Sequence, residues 1–438
     1  MKQAGEIIRR MAFWGLDMVK GGRQKKIKMV NKREIVEGIT EDYAKRRTRA
    51  ILAYAREQCA FYKDIPSLSL QDFPVMTKMD YNAKRDQILS DEYQEKKDTL
   101  YKLKTSGSTG APFTVLCDRE KMIRYNMNYI SFMELNGFRM GMKRGEFRVW
   151  IEGKNKITKW KSLKNNLLMI DISNMGDEAL QGICRRIQKE RIQVLVCYSS
   201  ALGPLLNYIR KYNVDIRKWD VEMIFAMGEG LPQTVWEGLT ETFGFSPVRS
   251  YGNNENGFLA CEIQGEGWYT ADLYNFYIEI LKMDSDEPAD SGELGRVVIT
   301  DYYNRAFPMI RYDTGDTALY EEICDGRGRI HGYFNEIYGR RGSLLYNCDG
   351  EPLSMHCFLN VLIDLEDVVH QAKCIQWEKT RYELLLNADP EKVDEQMVIN
   401  AYKQYLGDAA RIDVTYVDEI PVEASGKRMV CENRMVNQ

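Results

Sequence analysis

Ile192-Gln193-Val194-Leu195-Val196-Cys197-Tyr198 is an apolar, β-branched run too short for a helix, and a helical pattern follows it through Tyr212. The pair then recurs. Val221–Met227 reads as a strand, Gln233–Phe243 as a helix and Val248–Tyr251 as a strand again. Upstream, Phe147–Ile151 is strand-like and 177–190 helical. Strands alternating with helices of ten to fifteen residues point to β-α-β units around a mostly parallel sheet, an α/β fold.

The flanks obey other rhythms. In residues 40–63, Tyr43, Arg47, Ile51, Tyr54, Ala55 and Cys59 recur at three- and four-residue spacing, which predicts a helix. Phe113–Leu116 is strand-like, and Asp118 stands where an N-cap would open a helix through Leu135. Beyond residue 268 the chain turns strand-rich, with Tyr277–Leu281 and Gly295–Thr300 as clear runs. Val368–Trp377 and Arg381–Asn387 suggest a hairpin, Glu391–Tyr405 a helix and Ile412–Val417 a strand. The expected organisation is a large N-terminal domain (1–338) with mixed and parallel sheets and flanking helices. A small α+β C-terminal domain (339–438) follows, with the boundary near Gly339–Gly342.

The composition excludes several classes. With 438 residues, 44% hydrophobic, and 15 Phe, 26 Tyr and 7 Trp, the chain has ample material for a large core. Lys+Arg 61 against Asp+Glu 64 gives a net charge of −3, which argues against a globally basic nucleic-acid binder. Three histidines leave little room for a histidine-rich metal site. Ten cysteines without a C-x-x-C pair read as free thiols in a reducing cytoplasm. No secretory signal or membrane-spanning run is visible. Charge is uneven, however. Residues 1–33 carry ten Lys/Arg against Glu6 and Asp17, interleaved with Ile7, Ile8, Met11, Phe13, Trp14, Leu16 and Met18. That first part of a basic N-terminal segment (1–40) is either an ordinary helix packed on the body with a solvated basic end or a weak membrane-surface contact.

Thr105-Ser106-Gly107-Ser108-Thr109-Gly110 carries the strongest chemical signal. Its glycines let backbone N–H groups turn outward, and its four hydroxyls can donate to phosphate oxygens. It is not a Walker loop, since no Lys-Ser/Thr follows the second glycine. Alone, such a stretch is more often a solvated turn. Four more segments follow in order: Tyr251-Gly252-Asn253-Asn254-Glu255, Tyr312-Asp313-Thr314-Gly315-Asp316, Gly339-Arg340 and Ser425-Gly426-Lys427.

This series resembles the adenylate-forming superfamily of acyl-CoA synthetases, non-ribosomal adenylation domains and luciferases. Within it the chain is most similar to the phenylacetate–CoA ligase branch and its CapK-type relatives. Ile51–Ala55, Phe61-Tyr62-Lys63 and Phe73-Pro74-Val75-Met76-Thr77-Lys78 are similar to that branch's opening phrases. The resemblance runs over roughly residues 45–430.

The resemblance implies one site. Residues 105–110, with Thr109 central, would hold the ATP phosphates, and Glu255 would be the acid linked to Mg²⁺ through the nucleotide. Asp316 would accept both ribose hydroxyls, and Arg340 would grip ribose or phosphate. Tyr251 would stack on adenine, Gly252 would permit close approach, and Gly228-Glu229 would line the other side of the base. Asn253 and Asn254 complete the nucleotide-binding set, Asn254 standing where a threonine is usual. Lys427 would bridge the incoming carboxylate and the α-phosphate, then leave as a small mobile domain swings.

Other departures are Arg341-Gly342-Ser343, where relatives place an acid after Gly-Arg, and Ala111, where many have lysine. Cys261, Cys324 and His331 lie where some branch members hold zinc, but they lack short ligand spacing, so no zinc is expected.

The expected activity is ATP-dependent activation of a small carboxylic acid, releasing pyrophosphate and AMP, with coenzyme A as acyl acceptor. The CapK side of the resemblance leaves an amine acceptor open, in polysaccharide biosynthesis. A nucleotide-binding protein with a decayed site is the rival from another class. The joint presence of Glu255, Asp316, Arg340 and Lys427 speaks against it.

Overall fold

The computed structural model describes residues 2–105, 113–150, 157–228, 230–231, 233–338, 345–350, 352–353, 358, 361, 368–420 and 431–435. The chain divides into two compact units. One comprises residues 1–104, 113–141 and 248–339, the other residues 105–112, 142–247 and 340–438.

The first unit is built on an antiparallel sheet. Its strands run in the spatial order Phe276–Leu281, Gly295–Asp301, Tyr312–Cys324, Arg329–Tyr338, Tyr269–Ala271, Gly257–Glu262 and Val248–Asn253. Ile39–Thr40 also pairs with Arg329–Tyr338. Helix α1 (Lys2–Val19) and helix α2 (Arg23–Glu37) precede helix α3 (Glu41–Gln58). The Thr40 hydroxyl accepts the Tyr43 N–H at 3.2 Å, a cap that starts α3. The helical reading of 40–63 therefore holds to Gln58, and a 3₁₀ turn, Ala60–Tyr62, takes over.

The Arg119–Leu135 helix begins where its sequence signal lies, with Asp118 accepting the Lys121 N–H at 2.8 Å. Tyr62, Phe73, Met76, Tyr81, Phe113, Phe307 and Tyr312 form one aromatic-rich core. Backbone bonds from Met76 N–H to Arg311 O and from Asp313 N–H to Met76 O, both 2.9 Å, tie the segment before Thr77 to the strand that starts at Tyr312.

The second unit carries the parallel sheet the alternation calls for. Its strands are ordered Met223–Met227, Val194–Tyr198, Arg144–Arg148 and Leu167–Asp171, every pair parallel. Helices Asp177–Glu190, Ser199–Lys211 and Gln233–Phe243 connect or follow them. Met223–Met227 is buried at every position, as expected of a strand covered on both faces. The strand read at Phe147–Ile151 lies instead at Arg144–Arg148, because Glu146 is tolerated inside through its 3.3 Å pair with Arg148. Toward the C-terminus, Val369–Glu378 and Arg381–Ala388 form the expected antiparallel hairpin. Arg411–Tyr416 and Cys431–Asn433 add in parallel on its two sides, and Glu395–Leu406 is the accompanying helix.

One buried carboxyl in the first unit gives the fold a pH signature. Asp272 is fully buried and accepts from the Tyr274 and Asn275 N–H groups at 3.1 Å and from the Asn275 and Asn128 side chains. Burial outweighs those bonds and pushes its pKa up to about 6 from the ordinary 3.8. A carboxyl whose folded pKa is raised stabilises the fold at low pH, and that stability is lost as pH rises through the folded value. Relative to wild type, Asp272→Asn should therefore gain about 3 kcal/mol of unfolding free energy between roughly pH 3.5 and 6.5. Urea melts across that range check it, and a constant difference would refute it.

Candidate active site

Two sequence motifs with the same pattern, tyrosine-three residues-acid, meet in the first unit. The hairpin Val248–Asn253 and Gly257–Glu262 carries Tyr251 on its first strand and Glu255 in its turn. The strand Tyr312–Cys324 carries Tyr312 and Asp316. Each tyrosine holds the other motif's acid: Tyr251 Oη donates to Asp316 Oδ2 at 3.0 Å, and Tyr312 Oη donates to Glu255 Oε1 at 2.8 Å. This crossed pair is the geometric core of the site.

Glu255 is 2% exposed. A carboxylate that deep needs charge compensation. Lys78 supplies it, with Nζ at 2.9 Å from the same Oε1. Lys78 opens the short helix Lys78–Ala83, which Thr77 and Asp80 fix through a reciprocal capping box. In the sequence, Thr77-Lys78 stands only within a family-like phrase, and nothing there gives Lys78 or Tyr312 a role. The available signal is a lysine placed one residue after a capping threonine.

The turn bearing Glu255 is itself braced. Asn253 Oδ1 accepts the Asn256 N–H at 2.7 Å, and Lys121 Nζ donates to Asn256 O at 2.8 Å while pairing with Asp301 at 2.5 Å. Asn254 is exposed at the tip, its amide Nδ2 3.5 Å from Lys104 O on the strand Tyr101–Thr105. Gly252 is required by the hairpin itself, since a Cβ there would sit 2.4 Å from Gly257 O. Its freedom therefore serves strand approach at least as much as any ligand.

Tyr251 is buried, its ring edge-on to Phe334 at 5.4 Å between centroids. Burial, followed by the Asp316 charge, pushes its hydroxyl well above the usual phenol range, so it stays a donor. Asp316 is anchored at the backbone by its N–H to Thr314 Oγ1 at 3.1 Å. Asp313 of the same motif pairs instead with Arg296 at 2.7 Å, a structural contact.

Gly228 belongs to the second unit, where φ is +83° and a Cβ would meet the Tyr198 ring at 2.6 Å. Thr105 ends its strand, and its side chain lies outside the described residues. So do Ser106, Gly107, Ser108, Thr109, Gly110, Glu229, Arg340 and Lys427. Cys261 is buried and donates to Arg249 O, whereas Cys324 is exposed. Among the described residues, no group of three His, Cys, Asp or Glu could hold a metal ion.

Residues 345–433 match the CapK C-terminal domain model. Protein CapK of Staphylococcus aureus is 25% identical over 387 residues, covering 85% of this chain and 82% of that one. The chain is similar to CapK over most of its length and to a phenylacetate-coenzyme A ligase over about a third of it. The phenylacetate-coenzyme A ligase of Thermus thermophilus is 28% identical over 164 residues, 36% of each chain.

Solved structures give the fold. The 2-hydroxyisobutyryl-CoA ligase in complex with 2-HIB-AMP and CoA, in the thioesterification state, superposes with a TM-score of 0.58 at 16% identity, over 91% of this chain and 90% of that one. The same enzyme in the postadenylation state gives 0.54 at 15% identity, over 89% of each. The fold of this chain is thus similar to that of 2-hydroxyisobutyryl-CoA ligase over about nine-tenths of both chains.

Proposed function

We propose that the chain is an ATP-dependent, carboxylate-activating ligase that passes the acyl group to coenzyme A. The crossed tyrosine–acid pair carries the reading. It delivers two acids with different duties from two ordered motifs, one buried and charge-compensated, the other tethered by a tyrosine hydroxyl.

In the first half-reaction a carboxylate oxygen of the substrate attacks the α-phosphorus of ATP. The bond to the bridging oxygen of the β-phosphate breaks, and pyrophosphate leaves. In the second, the thiol of coenzyme A loses its proton and attacks the acyl carbonyl, and AMP leaves with the electron pair. Asp316 holds the ribose hydroxyls through its two oxygens, Tyr251 fixing its orientation. Residues 105–110 cradle the phosphates, Arg340 adds a cation, and Lys427 meets the charge that builds between carboxylate and α-phosphate.

Glu255 is the acid that would hold a magnesium ion, through the carboxylate oxygen other than the Oε1 that Lys78 and Tyr312 engage. Bound there, the ion would neutralise phosphate charge. Residues 339–438 act as the lid that trades Lys427 for the second half-reaction's surface.

Pyrophosphate release with a panel of aryl and short acyl acids, each with and without coenzyme A, tests the reading. Acid-dependent pyrophosphate followed by coenzyme A-dependent AMP is the expected result. Release of AMP with amines but not with coenzyme A would make the product an amide. No acid-dependent release from any member would reject the ligase assignment.

A further inference from the structure

The N-terminal helix α1 half-buries Phe13 and Trp14, the latter beneath Lys28 of α2, but buries its acids and leaves its aliphatic side exposed. Its two acids, Glu6 and Asp17, are 4% and 3% exposed, whereas Ile8, Met11, Met18 and Val19 are 66%, 68%, 73% and 86% exposed. The polar face makes the attachments to the unit. Glu6 pairs with Arg139 at 2.9 Å, Arg9 Nε donates to Gly141 O at 2.9 Å, and Asp17 accepts the Gln24 and Lys25 N–H groups at 3.2 and 2.9 Å, capping α2. A surface helix ordinarily buries its apolar stripe. Here Ile8, Met11, Ala12, Gly15 and Val19, at helical spacing along one side, face outward with Ile7, Leu16 and Met18 at the margins. A continuous exposed apolar stripe of this length marks an interaction surface.

The charges around it identify the occupant. Among the described side chains of residues 1–33, every exposed charge is positive: Arg9, Lys20, Arg23, Lys25, Lys26 and Arg33. Arg23 and Arg33 are paired with Glu120 and Glu34. Lys25 and Lys26 line an open depression of about 500 Å³ on α2, together with Gly22, Met29, Val30 and Arg33. Apolar side chains flanked by lysines on a helix suit the boundary between acyl chains and anionic headgroups. A second copy of the chain would bring the same lysines face to face, at a cost. The helix is also built to lie rather than cross, since no described helix is long and apolar enough to span a membrane.

We infer that α1, with the basic face of α2, docks the protein on an anionic lipid surface, Ile8, Met11 and Val19 entering the interface and Lys20, Lys25 and Lys26 meeting the headgroups.

Cosedimentation of the full chain with phosphatidylcholine vesicles, with and without phosphatidylglycerol, tests this. Binding should require the anionic lipid and weaken as salt rises. Met11→Glu/Val19→Glu should lower it about tenfold or more, and Lys25→Glu/Lys26→Glu should do so by a similar factor. All four positions are exposed, so thermal midpoints should match wild type; the salt series on wild type needs no variant at all. Equal binding to neutral vesicles, or unchanged binding in both variants, would overturn the proposal. So would a concentration-dependent dimer in sedimentation velocity that Met11→Glu/Val19→Glu abolishes without any vesicle binding, which would give the stripe to a second copy.

Discussion

Lys427→Ala should cut acid-dependent pyrophosphate release about a thousandfold while leaving ATP binding within a few fold of wild type. The asymmetry follows from when charge appears. In the ground state ATP is held by many groups, and one lysine adds little. As the carboxylate oxygen approaches the α-phosphorus, two anionic groups are forced together, and a positioned ammonium is worth most at that moment. Removing a preorganised donor that acts on the transition state typically costs about 10²–10³ in rate. Thioester formation from an acyl-adenylate supplied ready-made should fall far less, because that step leaves the carboxylate–phosphate encounter behind. Pyrophosphate release and thioester formation, measured on one preparation, read the two half-reactions separately. Equal losses in both would remove Lys427 from its assigned step, and unchanged pyrophosphate release would remove it from the site.

How much of this was legible depended on the range of the interaction. Elements fixed by local periodicity read well: 177–190 and Gln233–Phe243 are helices with the bounds their patterns give, and Asp118 caps its helix through a bond three residues away. Val194–Tyr198 read well because a strand buried on both faces leaves an unbroken apolar run. Arg144–Arg148 was displaced by three residues, since a buried Glu146 carries no apolar signal. Motif order singles out Glu255 and Asp316 as candidates, but nothing local says that each is held by the other motif's tyrosine. That pairing exists only once the hairpin and the strand share a sheet. Lys78 was hidden for the same reason. For α1, periodicity gives the stripe and not the side it faces. The direction is set by Arg139 and Gly141, over a hundred residues away in the chain.

The Lys78–Glu255 pair makes the second large prediction, because stability and activity should part company there. Both side chains are withdrawn from water, at 12% and 2% exposure. Lys78→Met leaves a buried carboxylate with the Tyr312 hydroxyl but no cation for compensation, and breaking one side of such a pair costs about 3–5 kcal/mol of unfolding free energy. Glu255→Gln strands the ammonium less severely, since the amide oxygen can still accept from it. Combining the two removes both charges, and exchanging a buried pair for neutral side chains of similar size is often close to neutral. The double variant should therefore recover most of the stability that Lys78→Met loses, a coupling of about 2–3 kcal/mol in a double-mutant cycle. Adenylate formation should not recover with it. A glutamine cannot replace a buried carboxylate held ready for a cation, so Glu255→Gln and the double variant should share a deficit of about a hundredfold or more. Urea melts and pyrophosphate release on the four proteins measure both axes. Restored stability accompanied by restored activity would make Glu255 a structural acid; restored stability without activity makes Lys78 the buried counter-ion of a functional carboxylate.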